Sequence, residues 1–553
     1  MKKQLAFHPL LFAVLAVISF YVSAVNLYLP DKMLLPAASA LAWAAGLWGG
    51  LTLAFKDQQR AALVTTIIVS ALLFFKAPYD GLKSVVAMCA LNAPGEDACL
   101  VVWLLLAVSA VCFAVLTRRN MERATALLNL AAIFLVGMKL FVVALHLLSE
   151  PPEHNFDLSL NLKPATVARG LRTSPSEQAQ TGKQMIKPDI YYIILDGYAN
   201  PDVYKKYFGY DNGAFIQALG AEGFHIYSGC HPNYQMTMLS IPSSLNMDYL
   251  NDYIPSLIGT VSSDWWPLDR LMQDHAVGRF LKANGYRYIH CSSGWGASNY
   301  NPYASTNIEC GWMDQFFAEL MLTTAYGPLE RRLHFLRDAI SAKKLAIFAS
   351  LPDIQKEPGP KFVFVHVLLP HPPYLFCANG EPSGAGMTPY MDGSDYRLKK
   401  PYLEQSIFAE KKAQEAIRAI LSRPGDKPVI VLQSDHGSSS CDTNAFNYKP
   451  SDAYLGERMR IFNAYYFPHN APVAVYDGIT PVNSFRAIFN YYFDAGFPLL
   501  KDEVYYSPYA APFKLVNVTT RMPAADKASP GSPGTESSAS NSPEASGHPQ
   551  GAD

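Results

Sequence analysis

Residues Lys427–Gly437 read KPVIVLQSDHG. A short apolar run rich in β-branched residues stops on Asp435, His436 and Gly437. A run of this length with no polar alternation predicts a strand buried on both faces. Two adjacent ligand-capable residues directly after such a strand are more than a turn requires. Two other runs end in the same way. Pro188–Ala199, PDIYYIILDGYA, closes on Asp196 and Gly197, and Lys361–Tyr374, KFVFVHVLLPHPPY, closes on His371 with His366 inside the run. In open α/β sheets ligands sit beyond the carboxyl ends of the strands, so residues hundreds of positions apart can meet on one edge. Each end also has a plainer reading. Asp-Gly after a strand is a common turn, and His366 within an apolar strand reads first as a hydrogen-bonded core residue. Turns, however, do not call for His and Asp at all three ends.

Outward from these runs, apolar segments alternate with helical patterns such as SIFAEKKAQEAIRAILSR from Pro188 to about Thr520. That alternation predicts an α/β domain around a mostly parallel sheet. Residues 150–187 are polar and without period, and read as a linker. Residues 521–553, rich in Ser, Pro, Gly and Ala, cannot bury a core and read as a disordered tail.

The first 149 residues differ in kind. The chain is 50% hydrophobic and 16% charged, and most of the long apolar runs fall here. Five candidate spans are Pro9–Leu29, Pro36–Phe55, Ala61–Phe75, Cys99–Thr117 and Thr125–Leu148. A bilayer core asks for about 20 apolar residues, and the third run is short of that. Lys2, Lys3, Lys56, Arg60, Arg118, Arg119 and Arg123 fall on one side, with Asp31, Asp80, Glu96 and Asp97 on the other. The positive-inside bias puts the N-terminus in the cytoplasm and the domain after Leu148 outside. The first run also reads as a signal peptide, which still exports that domain. Lys139, inside the fifth run, is either a functional residue or a snorkelling one. A formal net charge of −1 gives no reason to expect nucleic acid, and none of the eight cysteines forms a CxxC zinc pattern.

Asp196, Asp435, the imidazole of His436 and one further oxygen make a set of donors for a single divalent ion. Zinc or manganese suits it best, with magnesium as a third choice. The missing oxygen falls to Gly229–Met247, GCHPNYQMTMLSIPSSLNM, which holds Thr237, Ser240, Ser243 and Ser244 and no carboxylate. A hydroxyl on a metal has a lowered pKa and becomes a nucleophile. A Thr before a helix is otherwise an ordinary cap.

Together these pieces resemble the alkaline phosphatase/sulfatase superfamily, most closely its membrane-anchored branch of lipoteichoic acid synthases, phosphoethanolamine transferases and phosphoglycerol transferases. The resemblance covers about Pro188 to Ser507. It implies an acidic metal ligand at Asp196, a metal-bound threonine nucleophile at Thr237, ligands at Asp435 and His436, and a phosphate contact at His371. His366, Arg458 and Trp295 are further substrate-contact candidates. Sulfatases of the superfamily need a Cys or Ser in a C/S-x-P-x-R motif, whereas Cys230 is followed by HPNY and Ser240 by IPSS, which disfavours that chemistry.

What the resemblance implies is a metal-dependent phosphotransferase in the inner membrane of a bacterial-type cell, with its catalytic domain outside the cytoplasm. It would take a head group, phosphoglycerol or phosphoethanolamine, from a membrane phospholipid donor. The acceptor would be an envelope glycan or lipid. The alternatives are a phosphodiesterase or phosphatase on the same fold, and a non-catalytic membrane protein that binds envelope glycans.

Overall fold

A computed structural model describes residues 5–89, 94–117, 120–149, 187–385, 397–441 and 449–522. The linker read at 150–187 and the tail read at 521–553 lie almost wholly outside the described residues.

Seven strands form the central sheet: β1 Ile190–Leu195, β2 Phe224–Tyr227, β3 Arg287–Cys291, β4 Thr306–Ile308, β5 Lys361–Val367, β6 Val429–Gln433 and β7 Asn463–Tyr466. Their order is β2-β7-β6-β1-β5-β3-β4. The five strands from β6 to β4 are parallel, and β7 and β2 add an antiparallel edge. β1, β5 and β6 are buried at every position, which is why their sequences do not alternate. Ile190, Tyr192, Ile194, Phe362 and Phe364 pack on one face with the helices Thr237–Asn246 and Pro481–Phe493. Tyr191, Ile193, Leu195, Val363 and Val365 pack on the other, with the helices Phe335–Ser350 and Lys399–Ser422. This is the mostly parallel α/β domain expected.

Register does the positioning. Leu195 pairs with Val367, and Ile194 pairs with His366 on one side and Gln433 on the other. The three runs singled out above are therefore consecutive strands, and their carboxyl ends lie side by side.

The N-terminal part is helical: α1 His8–Ser23, α2 Leu34–Phe55, α3 Gln58–Leu73, α4 Lys76–Met88, α5 Glu96–Leu116 and α6 Glu122–Ser149. Pro30–Phe55, Glu96–Leu116 and Glu122–Leu148 are long and apolar enough to cross a membrane; α3 and α4 make a fourth if that pair, bent by 57°, counts as one span. Five spans were expected. The first run folds as a helix of 16 residues, α1, about 24 Å long at 1.5 Å per residue, against a hydrocarbon core of about 30 Å. It packs against α2, α3 and α6. Asn129 of α6 caps its start, accepting from the amides of Phe7 and His8, which supplies partners a helix N-terminus lacks. Lys139 is half-buried on α6.

The α/β domain is bonded to this bundle through short segments. Trp266 Nε1 donates to the carbonyls of Val25 and Tyr28, Tyr28 Oη donates to Glu319 at 2.8 Å, and the amides of Ala325 and Lys76 donate to Leu72 O and Thr323 O respectively.

Candidate functional site

Asp196 follows β1 on a turn tied to both neighbouring strands. Its amide donates to Val367 O at 3.0 Å, its carbonyl accepts from the His371 amide at 3.0 Å, and the Gly197 amide donates to Asp435 Oδ1 at 3.1 Å. Gly197 has φ 71°, a left-handed conformation that favours glycine, so the Asp-Gly pair is a turn as well as a source of a carboxylate. One donor atom each from Asp196, His366 and Asp435 lie within 4.8 Å of one another, all three residues buried. His366 Nε2 is 3.2 Å from Asp196 Oδ2. His436 Nε2 stands 3.5 Å from Asp196 Oδ1 and 3.4 Å from Asp435 Oδ2. His366, read as a core residue or substrate contact, thus stands among the potential ligands. Its other nitrogen, Nδ1, bonds Ser298 Oγ at 2.8 Å.

The Thr237–Asn246 helix brings its first residue to this cluster. Thr237 Oγ1 is 3.1 Å from His436 Nε2. The competing hydroxyls are turned to backbone carbonyls: Ser240 donates to Asp435 O, Ser243 to Asp248 O and Ser244 to Ser240 O. Met236, in extended conformation, is the cap residue, so Thr237 is inside the helix and its hydroxyl is not the cap.

The protons can be placed. His436 Nδ1 is 3.1 Å from Gly437 O; a carbonyl only accepts, so Nδ1 carries the hydrogen and Nε2 turns its lone pair to the cluster. His371 is held likewise, with Nδ1 on Pro372 O at 2.7 Å. Burial, and then Arg458, hold the His436 imidazole well below its usual pKa, and burial lowers that of His371. Burial raises the Asp196 carboxyl, while the charge of His371, the hydrogen bond and charge of His366, and the charge of His436 lower it below the carboxylate range. Asp435 is pushed up, first by burial and then by the charge of Asp196.

These residues fit a divalent cation. Asp196 Oδ1 and Asp435 Oδ2 are buried with no hydrogen-bond partner, an arrangement that costs free energy unless positive charge lies between them. Oxygen donors beside an imidazole lone pair suit zinc or manganese, and His436, anchored through Nδ1 on Gly437 O, has the geometry of an oriented ligand.

Behind the cluster, two residues brace both segments that meet there. Glu457 accepts from Ser438 Oγ and from the amides of Ser440 and Cys441. Arg458 donates to Gln235 O at 2.9 Å and Gly437 O at 3.0 Å, tying the threonine segment to the Asp-His-Gly loop. It was read as a phosphate contact; its guanidinium lies on these two carbonyls. Trp295, half-buried, sets its ring edgewise 5.7 Å from His366, and His371 is half-buried beside the cluster, its ring 6.4 Å from that of His436. Sequence reasoning missed Ser298, Glu457 and Lys344. Lys344 is buried in the Phe335–Ser350 helix and donates to Leu368 O at 2.5 Å. The one trace of it in sequence is a lysine pair within the apolar SAKKLAIF.

No family model matches the sequence, and neither does any curated protein. Among solved structures, the C-terminal periplasmic domain of EcEptC from Escherichia coli, in complex with Zn, is similar at 12% identity and TM-score 0.41, covering 62% of this chain and 95% of its own. The integral membrane protein lipooligosaccharide phosphoethanolamine transferase A from Neisseria meningitidis is similar at 10% identity and TM-score 0.37, covering 87% and 95%. A 2-O GAG sulfatase is similar at 12% identity and TM-score 0.37, covering 57% and 72%.

Proposed function

We propose that this chain is a membrane-anchored phosphotransferase that moves a phospholipid head group, phosphoglycerol or phosphoethanolamine, to an envelope glycan or lipid acceptor. The catalytic domain would work at the outer face of the cytoplasmic membrane. The observation that carries the reading is the placement of Thr237, whose hydroxyl alone among the four candidates faces the cluster of Asp196, His366, Asp435 and His436.

Asp196, Asp435, His436 and Thr237, with His366 against Asp196, are the residues that would hold a divalent cation, which when bound supplies the positive charge that acidifies a hydroxyl and neutralises phosphoryl oxygens. The chain's own part is then specific. Thr237 Oγ1 forms a bond to phosphorus as the bond from phosphorus to the donor's glycerol oxygen breaks, and diacylglycerol leaves with the threonine proton. An acceptor hydroxyl oxygen next bonds the same phosphorus, the bond to Oγ1 breaks, and Oγ1 regains a proton from the acceptor. His371, its Nδ1 hydrogen held by Pro372 O, offers Nε2 to relay these protons. Arg458 keeps the attacking segment and the Asp-His-Gly loop at a constant distance, which positions the reacting groups before the donor arrives.

Intact mass spectrometry after exposure to membrane lipids tests the reading. The expected result is a stoichiometric phospho-head-group adduct on Thr237. An adduct on another residue overturns the nucleophile, and release of free head-group phosphate without transfer makes the enzyme a hydrolase.

A further inference from the structure

Ser298 closes a short helical turn, Gly296–Ser298, that follows β3, and it is fully buried beside His366. Its backbone is pinned by a row of hydrogen bonds in which every proton can be placed. The Gly278 amide donates to His275 Nδ1 at 3.0 Å, which leaves the hydrogen of that ring on Nε2. His275 Nε2 then donates to Tyr288 Oη at 3.2 Å, Tyr288 Oη to His290 Nδ1 at 3.3 Å, and His290 Nε2 to Ser298 O at 2.9 Å. A carbonyl only accepts, so the row runs in one direction and ends on Ser298. The Ser293 amide adds a second bond to the same carbonyl at 3.2 Å.

The hydroxyl of Ser298 has more partners than one hydrogen can serve. It lies 2.8 Å from His366 Nδ1, 3.0 Å from Trp295 O and 2.7 Å from Ser293 Oγ. Two arrangements satisfy these groups. In the first, Ser298 donates to His366 Nδ1, and Ser293 Oγ serves Trp295 O at 3.3 Å. His366 Nε2 then carries a hydrogen and donates it to Asp196 Oδ2, 3.2 Å away. In the second, His366 Nδ1 carries the hydrogen and donates to Ser298 Oγ, which turns its own hydrogen to Trp295 O. Nε2 then presents a lone pair on the Asp196 side. Both arrangements hold the same number of protons and differ only in the tautomer of His366. A lone pair facing a carboxylate oxygen is repelled unless a cation lies between them. The first arrangement therefore belongs to the metal-free cluster and the second to the loaded one.

We propose that Ser298 is the positioning residue that makes His366 a metal ligand: with a divalent cation bound, its oxygen takes the Nδ1 hydrogen and its own hydrogen goes to Trp295 O. The inference rests on the reading of the cluster as a cation site. It adds to Asp196, Thr237, Asp435 and His436 a further donor, and names the group that orients it. It also couples the ion to the turn that carries Trp295, because the hydroxyl that orients the ligand fastens that turn at its carbonyl.

Zinc affinity of the full-length protein, measured by competition with a chelator, tests this in a double-mutant cycle. Ser298→Ala is expected to weaken binding by about 10- to 100-fold, the range for a group that orients a metal-bound histidine. His366→Ala is expected to weaken it at least as much, and adding Ser298→Ala to His366→Ala is expected to change nothing more. Metal-free melting of each variant is checked alongside. Additive effects make Ser298 a merely structural residue and overturn the proposal, as does an affinity that Ser298→Ala leaves unchanged. Cobalt(II) gives a second readout with Ser298 and His366 both in place. The loaded protein is expected to show two exchangeable, strongly shifted imidazole N–H resonances, one from His436 on Gly437 O and one from His366 on Ser298, and both are expected to persist in His371→Ala. A single such resonance overturns the proposal. The expected cycle in a protein that forms no adduct on Thr237 leaves Ser298 in its role and sinks the phosphotransferase reading instead. A wild type that takes up no divalent ion sinks the cation site and the proposal together.

Discussion

Thr237 Oγ1 and His436 Nε2 stand 3.1 Å apart across 199 residues of sequence. The contact exists because the helix that Thr237 opens is packed on the same sheet face as Ile194, whose strand neighbours β6. Thr237→Ala is expected to abolish the phospho-head-group adduct and lower turnover by on the order of 10³-fold or more. Ser240→Ala, whose hydroxyl bonds a backbone carbonyl, is expected to keep the adduct. Mass spectrometry and head-group transfer measured on both variants check this. A surviving adduct in Thr237→Ala would remove the nucleophile assignment.

The paired carboxylates predict a stability order that depends on metal. Without a cation, Asp196 and Asp435 face each other with unpartnered oxygens, and Asp435→Asn removes one charge and gives Asn Nδ2 to the other. Metal-free Asp435→Asn is therefore expected to melt about 2–4 °C above the metal-free wild type. In saturating zinc the order is expected to reverse, because the wild type alone gains the full free energy of metal binding. Calorimetry on the four samples, with metal content measured alongside, decides it.

Gly437 has no room for a side chain. A Cβ there would lie 2.5 Å from Glu457 O, 2.7 Å from Arg460 O and 3.0 Å from Arg458 O. All three are backbone atoms and none can swing away. Gly437→Ala is expected to cost about 1–3 kcal/mol of stability and to lower metal content, since the displaced loop carries Asp435 and His436. Denaturant melts and bound metal per chain measure the two effects.

Glu410 gives a pH signature away from the site. It is buried, accepts from Tyr198 Oη at 2.6 Å and Tyr210 Oη at 2.8 Å, and burial pushes its carboxyl up to about 7. The folded state thus holds a proton that the unfolded chain releases near the ordinary carboxylate value. The stabilisation is complete below about 4.3 and is lost as pH rises through about 7. Glu410→Gln is expected to flatten the fall in melting temperature between pH 5 and 8. An unchanged slope would mean that Glu410 ionises without cost.

The three strand ends were legible because buried parallel strands advertise themselves as unbroken apolar runs, and because β6, β1 and β5 are direct neighbours. His366 was not. Whether a histidine inside a strand looks into the core or along it to the carboxyl edge depends on register, and His366 pairs with Ile194 one step from that edge. The choice of Thr237 over Ser240, Ser243 and Ser244 came from the resemblance and not from the residue pattern, since geometrically it turns on which carbonyls the helix and the Asp435 loop leave in reach. The span count shifted because run length and helix length are different quantities. Val25, Leu27 and Leu29 extend the first run, while the helix itself ends at Ser23.

Strand order also sets an order of events in time. Asp196 and Thr237 emerge early from the ribosome, but their partners Asp435 and His436 come about 200 residues later, and the strand bearing them must pair with β1 before the cluster exists. On the reading proposed above, a chain truncated before Asp435 lacks two of the residues that would hold a cation, so the cluster is complete only once most of the α/β domain has been made.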